Sequence, residues 1–512
     1  MQIMPFQLGV DTLTSSCLTQ LASRPGPALV VSEAARARLI EYRGIVDRVL
    51  ASGERVYGIN TGFGFLANVA IPPDQLVQLQ INLVRSHACG VGEPVADEIV
   101  RGMLILRAHT FLYGNSGIRP ETLEQVLAFL RHDILPVVPC QGSVGASGDL
   151  APLAHLALGL MGEGEVRYRG ETVPAADALA AAGLQPLVPE AKEGLGLING
   201  THFMTVLAAF ALEEAKVVAR AADVAAGLSL DAIRGTTRAY DPRIQQVRPH
   251  LGQALVATNM RTLFVGNDAI MESHKDCGKV QDPYSFRCVP QVHGASRDTL
   301  SFVERTVEIE LNSVTDNPLV LGDGEIVSGG NFHGQPIALG MDYLTCAVAE
   351  LGSISERRTE KITNPHLSGL PAFATRNSGL NSGFMIPHVV AAALASENKT
   401  LCHPASVDSI PTSADKEDHV SMGPIAARKA RTVIQNVVRI LAIELLAATQ
   451  GIDLLAPLEP SPVLRDVMAE IRRIAPTMET DRSLHKEIEA VARWVAGDGA
   501  TRAIRAQGIA LK

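Results

Sequence analysis

The sequence has little that is aromatic and no cysteine arranged for chemistry. Aromatic residues make up 4% of the 512 positions, with a single tryptophan, whereas alanine and leucine abound. That balance favours helices over sheets. The seven cysteines form no C-x-x-C pair, and Cys277 and Cys288 lack zinc-finger spacing. No disulfide framework is visible, and this usage suits a reducing cytoplasm. Positive charge is not in excess. Lys and Arg number 45 against 54 Asp and Glu, a net charge of −9, which gives no electrostatic case for nucleic acid or an anionic membrane. No uncharged apolar run reaches the roughly 18 residues needed to cross a bilayer. The opening MQIMPFQLGVDTLTSS has no basic region followed by an apolar run, so no signal peptide is expected. A soluble, cytoplasmic chain is the expectation.

Familiar catalytic motifs are also missing. There is no phosphate loop ending in GK[ST], no HExxH and no G-x-G-x-x-G after a strand. Gly58–Gly64 (GINTGFG) is glycine-rich but has neither the lysine nor the spacing of a nucleotide loop. Gly145-Ala146-Ser147-Gly148-Asp149 fails the G-x-S-x-G elbow because Asp149 holds the last glycine position. A conventional nucleotide or zinc enzyme is not indicated, and no cluster requires a metal.

What is present is a large helical core. Hydrophobic residues are 46% of the chain. In TLSFVERTVEIELNSVTD, the residues Leu300, Val303, Val307, Leu311 and Val314 recur at steps of three and four, one apolar helical stripe. Similar spacing runs from about 201 to 228, 338 to 361 and 426 to 450. Helices of that length pack side by side as a bundle. EVRYRGETV (165–173) predicts a hairpin turning near Arg169-Gly170. The spacing predicts a mixed, loop-rich N-terminal region over 1–200, then a long-helix core and helical C-terminal region over 201–512. Function is expected in the glycine- and proline-rich loops between the helices.

One loop raises its own chemistry. In GSVGASGDLAPLAH (142–155), Ala146 offers an unshielded carbonyl, Gly148 an amide nitrogen without a side chain, and Ser147 a hydroxyl that can leave as water. Attack of the Gly148 nitrogen on the Ala146 carbonyl, with two waters lost in all, would close a five-membered ring bearing an exocyclic methylene. That product is a strong electrophile. The plain alternative is a small-residue turn in which Asp149 caps the following helix. Spacing alone favours the turn.

Other segments change the balance. YGINTGFG (57–64), SHACGVGEP (86–94), EGLGLINGT (193–201), KVQDPYSFRC (279–288), VTDNPLV (314–320), SGGNFHGQP (328–336), GLNSGFM (379–385), ALASENK (393–399) and EDHVSM (417–422) accompany the ASGDL core. In this order, over nearly the whole chain, the sequence resembles the aromatic amino acid ammonia-lyases that use a self-made methylidene-imidazolone (MIO) group. The resemblance implies an all-α, fumarase/aspartase-like long helix bundle. It implies a homotetramer with active sites shared between subunits, and cyclisation of Ala146, Ser147 and Gly148 to MIO, with no dissociable cofactor. It also implies roles. Tyr57 matches the general base and Tyr284 a second active-site tyrosine. Arg287 matches the carboxylate-binding residue, Asn199 and Gln281 the amides that bind substrate and orient the ring, and Phe332 an aromatic wall.

Substrate choice rests on Ser86-His87, which matches the pair of histidine-acting members, and on Glu417, which matches an acidic residue on the imidazole side. Buried imidazole nitrogens need such polar partners. The expected reaction is L-histidine to trans-urocanate and ammonia. The alternatives are a phenylalanine- or tyrosine-specific lyase or aminomutase, and a non-catalytic helical assembly protein. Lys416 is a departure from several relatives, and could neutralise Glu417 if turned inward. Taken singly, each of these residues also has an ordinary reading: a packed tyrosine, a helix-end histidine, a turn asparagine or a surface charge.

Overall fold

The computed structural model describes residues 5–62, 64, 68–266 and 268–512. Residues 1–4 of the opening stretch and Phe63 of the 57–64 loop lie outside them. The chain is all-α. Its four longest helices are His202–Ala232, Val289–Leu311, Gln335–Thr363 and Gly423–Asp453. They coincide with the four stretches of helical spacing.

One end differs from the expected stripe. Leu300, Val303, Val307 and Leu311 are buried, but the helix stops at Leu311 and Val314 lies beyond it. Asn312 ends it. Its amide nitrogen donates to the carbonyls of Glu308 (2.7 Å) and Leu13 (2.9 Å), and its amide oxygen accepts from the Leu13 N–H (2.8 Å). An asparagine side chain that bonds backbone competes with helix continuation.

The chain forms two compact units. One comprises residues 1–210, 304–342 and 404–428, the other 211–303, 343–403 and 429–512. The region expected over 1–200 falls within the first, but the region expected over 201–512 is not one unit, because 201–210, 304–342 and 404–428 belong to the first as well. Every strand among the described residues belongs to that first unit, in four small sheets. Glu165–Tyr168 pairs antiparallel with Glu171–Pro174 as predicted. Arg169 and Gly170 turn the hairpin at φ 52° and 85°, the positive pair that a two-residue turn matching strand twist requires.

In the second unit the long helices are pinned by a buried carboxylate. Arg358 forks onto Glu444, with its NH2 2.9 Å from Oε2, and the hydroxyls of Ser229 and Ser355 complete the oxygens. All four side chains are fully buried. Gln335–Thr363 and Gly423–Asp453 are long and apolar enough, by length and composition alone, to cross a membrane. Their most apolar stretches are 67% and 83% buried inside the chain, as core helices are.

Candidate active site

The segment that carries the small residues is a strained turn between helix starts. Ser147 and Gly148 both adopt positive φ, 50° and 76°. At Gly148 a Cβ would lie 2.2 Å from the carbonyl oxygen of Gly200, so only glycine fits. The Ser147 carbonyl accepts from Asn199 Nδ2 (3.0 Å) and from the Gly200 N–H (3.3 Å). Arg107, fully buried, holds that donor segment by donating to the carbonyls of Leu197 (2.9 Å) and Asn199 (3.1 Å).

Three helix N-termini meet around this turn. Leu150–Leu160 begins directly after Asp149. The Met204 N–H, in the first turn of His202–Ala232, donates to Asp149 Oδ2 (2.9 Å). The Met422 N–H, just before Gly423–Asp453, donates to the Val144 carbonyl (3.0 Å). The positive ends of these helices favour negative charge developing at the turn. The plain reading of Asp149 is corrected here. Its side chain does not cap its own helix but the start of His202–Ala232. Burial pushes its carboxyl up to about 8, against the lowering pull of the Met204 and Phe203 N–H groups and Arg107.

A cavity of about 810 Å³ opens over the turn, within the first unit. Tyr57, His87, Ala146, Ser147, Asn199, Phe332 and Glu417 all line it. Seven of the expected site residues, far apart in sequence, thus share one wall-to-wall space. Glu417 Oε1 lies 3.5 Å from Ser147 Oγ. His87 ends the Leu76–His87 helix, and its Nδ1 lies 2.8 Å from the Leu83 carbonyl. A carbonyl can only accept, so Nδ1 carries the proton and Nε2 is left as an acceptor. Burial lowers the His87 pKa, with the Leu83 carbonyl and Glu417 acting the other way, so the ring is neutral near pH 7. Ser86 is exposed and does not line the cavity. Its hydroxyl sits 3.0 Å from His87 Nδ1 and holds the ring instead.

Tyr57 is matched to a general base, a role for which a phenol must be activated near neutrality, and its surroundings among the described residues do the opposite. Burial raises its phenol above the ordinary value, a backbone hydrogen bond with Gly64 opposes this, and Glu417 adds to it. Lys416 also lines the cavity, yet it is exposed and makes no ion pair with Glu417 among the described residues.

Gln281, Tyr284 and Arg287 are not among the cavity-lining residues and belong to the second unit. Tyr284 is 71% exposed. The Arg287 guanidinium stacks 4.8 Å from the Tyr284 ring and donates to the Asp282 carbonyl (2.8 Å). Residues that sequence reasoning did not single out also line the cavity, among them Asn317, His333 and His419. His333 Nε2 lies 3.3 Å from the His419 carbonyl. Each sits inside a segment used for the resemblance, and that was their only signal. Among the described residues no group of three or more His, Cys, Asp and Glu could hold a metal.

Residues 13–473 match the family model described as aromatic amino acid lyase. The chain belongs to the aromatic amino acid lyase family. Among relatives, a Sorangium cellulosum protein named histidine ammonia-lyase is 52% identical over 493 residues, covering 94% of this chain and 96% of that protein. Among solved structures, histidine ammonia-lyase from Trypanosoma cruzi is 46% identical with a TM-score of 0.91, covering 98% and 95%. Tyrosine aminomutase from Streptomyces globisporus is 38% identical with a TM-score of 0.94, covering 99% and 100%. Backbone likeness alone therefore does not separate the family's lyases from its aminomutases, and side chains at the cavity must.

Proposed function

We propose that this chain is an ammonia-lyase acting on L-histidine, releasing ammonia and trans-urocanate by non-oxidative elimination. The observation that carries this reading is the pairing of neutral His87 and acidic Glu417 on the same cavity as Ser147. Both are acceptors on the cavity wall, which the two N–H groups of a protonated imidazole ring would satisfy and an apolar substrate ring would leave unpaired. The relatives named histidine ammonia-lyase, at about half identity over nearly the full chain, support the same substrate.

Ala146, Ser147 and Gly148 are the precursor of an MIO group in this reading. A bond forms from the Gly148 nitrogen to the Ala146 carbonyl carbon, and two waters leave, one carrying the Ser147 hydroxyl. The residues present fit the group. Gly148 has no room for a Cβ, the turn already holds positive φ at both residues, and the Ser147 carbonyl is gripped by two donors. The group would supply an electrophilic methylene that takes the substrate's amine, a chemistry that ordinary side chains lack.

The chain's own residues do the rest. Asn199 Nδ2 and the Gly200 N–H hold the Ser147 carbonyl oxygen and stabilise negative charge there. His87 Nε2 and Glu417 Oε1 bind the substrate ring, and Phe332 walls the space. The Tyr57 hydroxyl oxygen takes the β-proton. Since burial and Glu417 hold its phenol high, that role needs a cation beside it. The reading supplies Arg287, together with Tyr284 and Gln281, from a neighbouring subunit of a homotetramer. The exposure of Tyr284 and Gln281 leaves them open to such use. Arg287 would hold the substrate carboxylate as a fork. The reading places the enzyme in the cytoplasm, with no nucleic acid or membrane partner.

The test is direct. The purified protein is incubated separately with L-histidine, L-phenylalanine and L-tyrosine, and the ultraviolet absorbance of each conjugated acid is followed. Product is expected with L-histidine. No signal with L-histidine, or a larger one with either other amino acid, overturns the assignment.

A further inference from the structure

Glu417 does not hold its position unaided. It closes a small loop with Thr412, through the Thr412 N–H to the Glu417 carbonyl (3.1 Å) and the Glu417 N–H to the Thr412 carbonyl (3.3 Å). Between them, Ser413, Ala414 and Asp415 all take left-handed backbone, at φ 53°, 51° and 63°. Three successive side-chain-bearing residues in that region are disfavoured, so the loop persists only because its ends are tied. The third tie is a side chain. Thr412 Oγ1 donates to Glu417 Oε2 at 2.6 Å. A hydroxyl has one proton, and here it goes to the carboxylate oxygen that does not face Ser147.

We infer that Thr412 is the positioning residue for Glu417, fixing one carboxylate oxygen so that the other is presented to the substrate ring. The inference rests on the proposed role of Glu417. Thr412 does not line the cavity and touches no reacting atom. It acts by removing rotamer freedom from a long side chain and by occupying a lone pair of Oε2. Oε1 is then held in one direction, where it can accept a ring N–H. The same loop leans on the tyrosine loop, since a Cβ at Gly64 would lie 2.8 Å from Ser413 Oγ. Fixing the loop therefore also limits the space on the Tyr57 side.

Two substitutions separate hydroxyl from shape. Thr412→Val keeps the branched outline and loses the donor; Thr412→Ser keeps the donor and loses a methyl. Thr412→Val is expected to lower kcat/KM for L-histidine about 10- to 100-fold, the usual consequence of losing a hydrogen bond to a charged group. Thr412→Ser is expected to stay within about threefold. In a Glu417→Ala background, Thr412→Val is expected to cause no further loss beyond about twofold, because the acceptor it acts through is gone. Intact mass of each variant should still be two waters below its sequence. The inference is overturned if valine behaves as wild type, or if serine is as damaging as valine. It is also overturned if the valine loss recurs in the Glu417→Ala background, or if valine abolishes the mass deficit. If the unaltered chain prefers another amino acid, the proposed reaction falls, and the valine–serine contrast measured on that substrate still decides Thr412.

Discussion

At the scale of single residues, the site depends on what is absent from side chains as much as on what is present. Gly148 must lack a Cβ because the Gly200 carbonyl occupies that volume. In the proposed ring closure, Ser147 supplies the hydroxyl that leaves. Ser147→Ala keeps the size and the turn, so the variant should fold. Its intact mass should equal that of its sequence, and activity should fall by about three orders of magnitude or more, as for loss of a covalent catalyst. Normal turnover by that variant would remove the MIO assignment. His87 is the second residue on which the proposed function turns. Its proton is held on Nδ1 by the Leu83 carbonyl, so only Nε2 remains for the substrate. His87→Leu or His87→Phe should shift preference from L-histidine toward L-phenylalanine or L-tyrosine, read as the ratio of kcat/KM values. An unchanged ratio would remove His87 from substrate choice.

At the scale of elements, buried charges fix how helices meet. Glu444 accepts from Arg358, Ser229 and Ser355 in an enclosed position. Glu444→Ala leaves the Arg358 guanidinium buried without its counter-charge and should cost about 3–5 kcal/mol. Denaturant unfolding of that variant measures it. Asp149 joins the start of one helix to the start of another, and its carboxyl is raised to about 8 by burial. Between its unfolded value near 4 and about 8, the folded chain binds more protons there than the unfolded chain. The stability this group contributes is therefore present at low pH and is lost as pH rises through about 8. Asp149→Asn can still accept the Met204 N–H but does not ionise. Its melting temperature should fall less than that of wild type between about pH 6 and 9. Parallel melting curves for the two proteins would show that Asp149 is not the group responsible.

At the scale of the whole molecule, the expected residues divide into two sets. Seven line one cavity in a single chain, with Gly148 next to Ser147 in the same turn, while Gln281, Tyr284 and Arg287 are not among its lining residues. If they serve a neighbour's cavity, two inactive chains can repair each other. Co-expression of Ser147→Ala with Tyr284→Phe should give mixed oligomers with clearly more activity than either variant alone, because some sites then combine an intact Ser147 with an intact Tyr284. No recovery in isolated mixed oligomers would place Tyr284 outside the shared site.

The sequence by itself determined the helical spacing, and with it the four long helices and the Arg169-Gly170 hairpin, because periodicity is a local property of the chain. Adjacency also made Ala146, Ser147 and Gly148 legible as a candidate precursor, although their spacing alone favoured a plain turn and only the resemblance carried by the other segments changed the balance. The end of the helix at Leu311 was not legible, because Asn312 acts through Leu13, nearly three hundred positions away. Nor were the protonation of His87, the capping of a second helix by Asp149, or the grip of Thr412 on Glu417. Each depends on which carbonyl, N–H or hydroxyl the folded chain brings within hydrogen-bond reach. Residue types can be read along the chain, but their partners and their charge states are set by burial and proximity, and only the tertiary structure decides those.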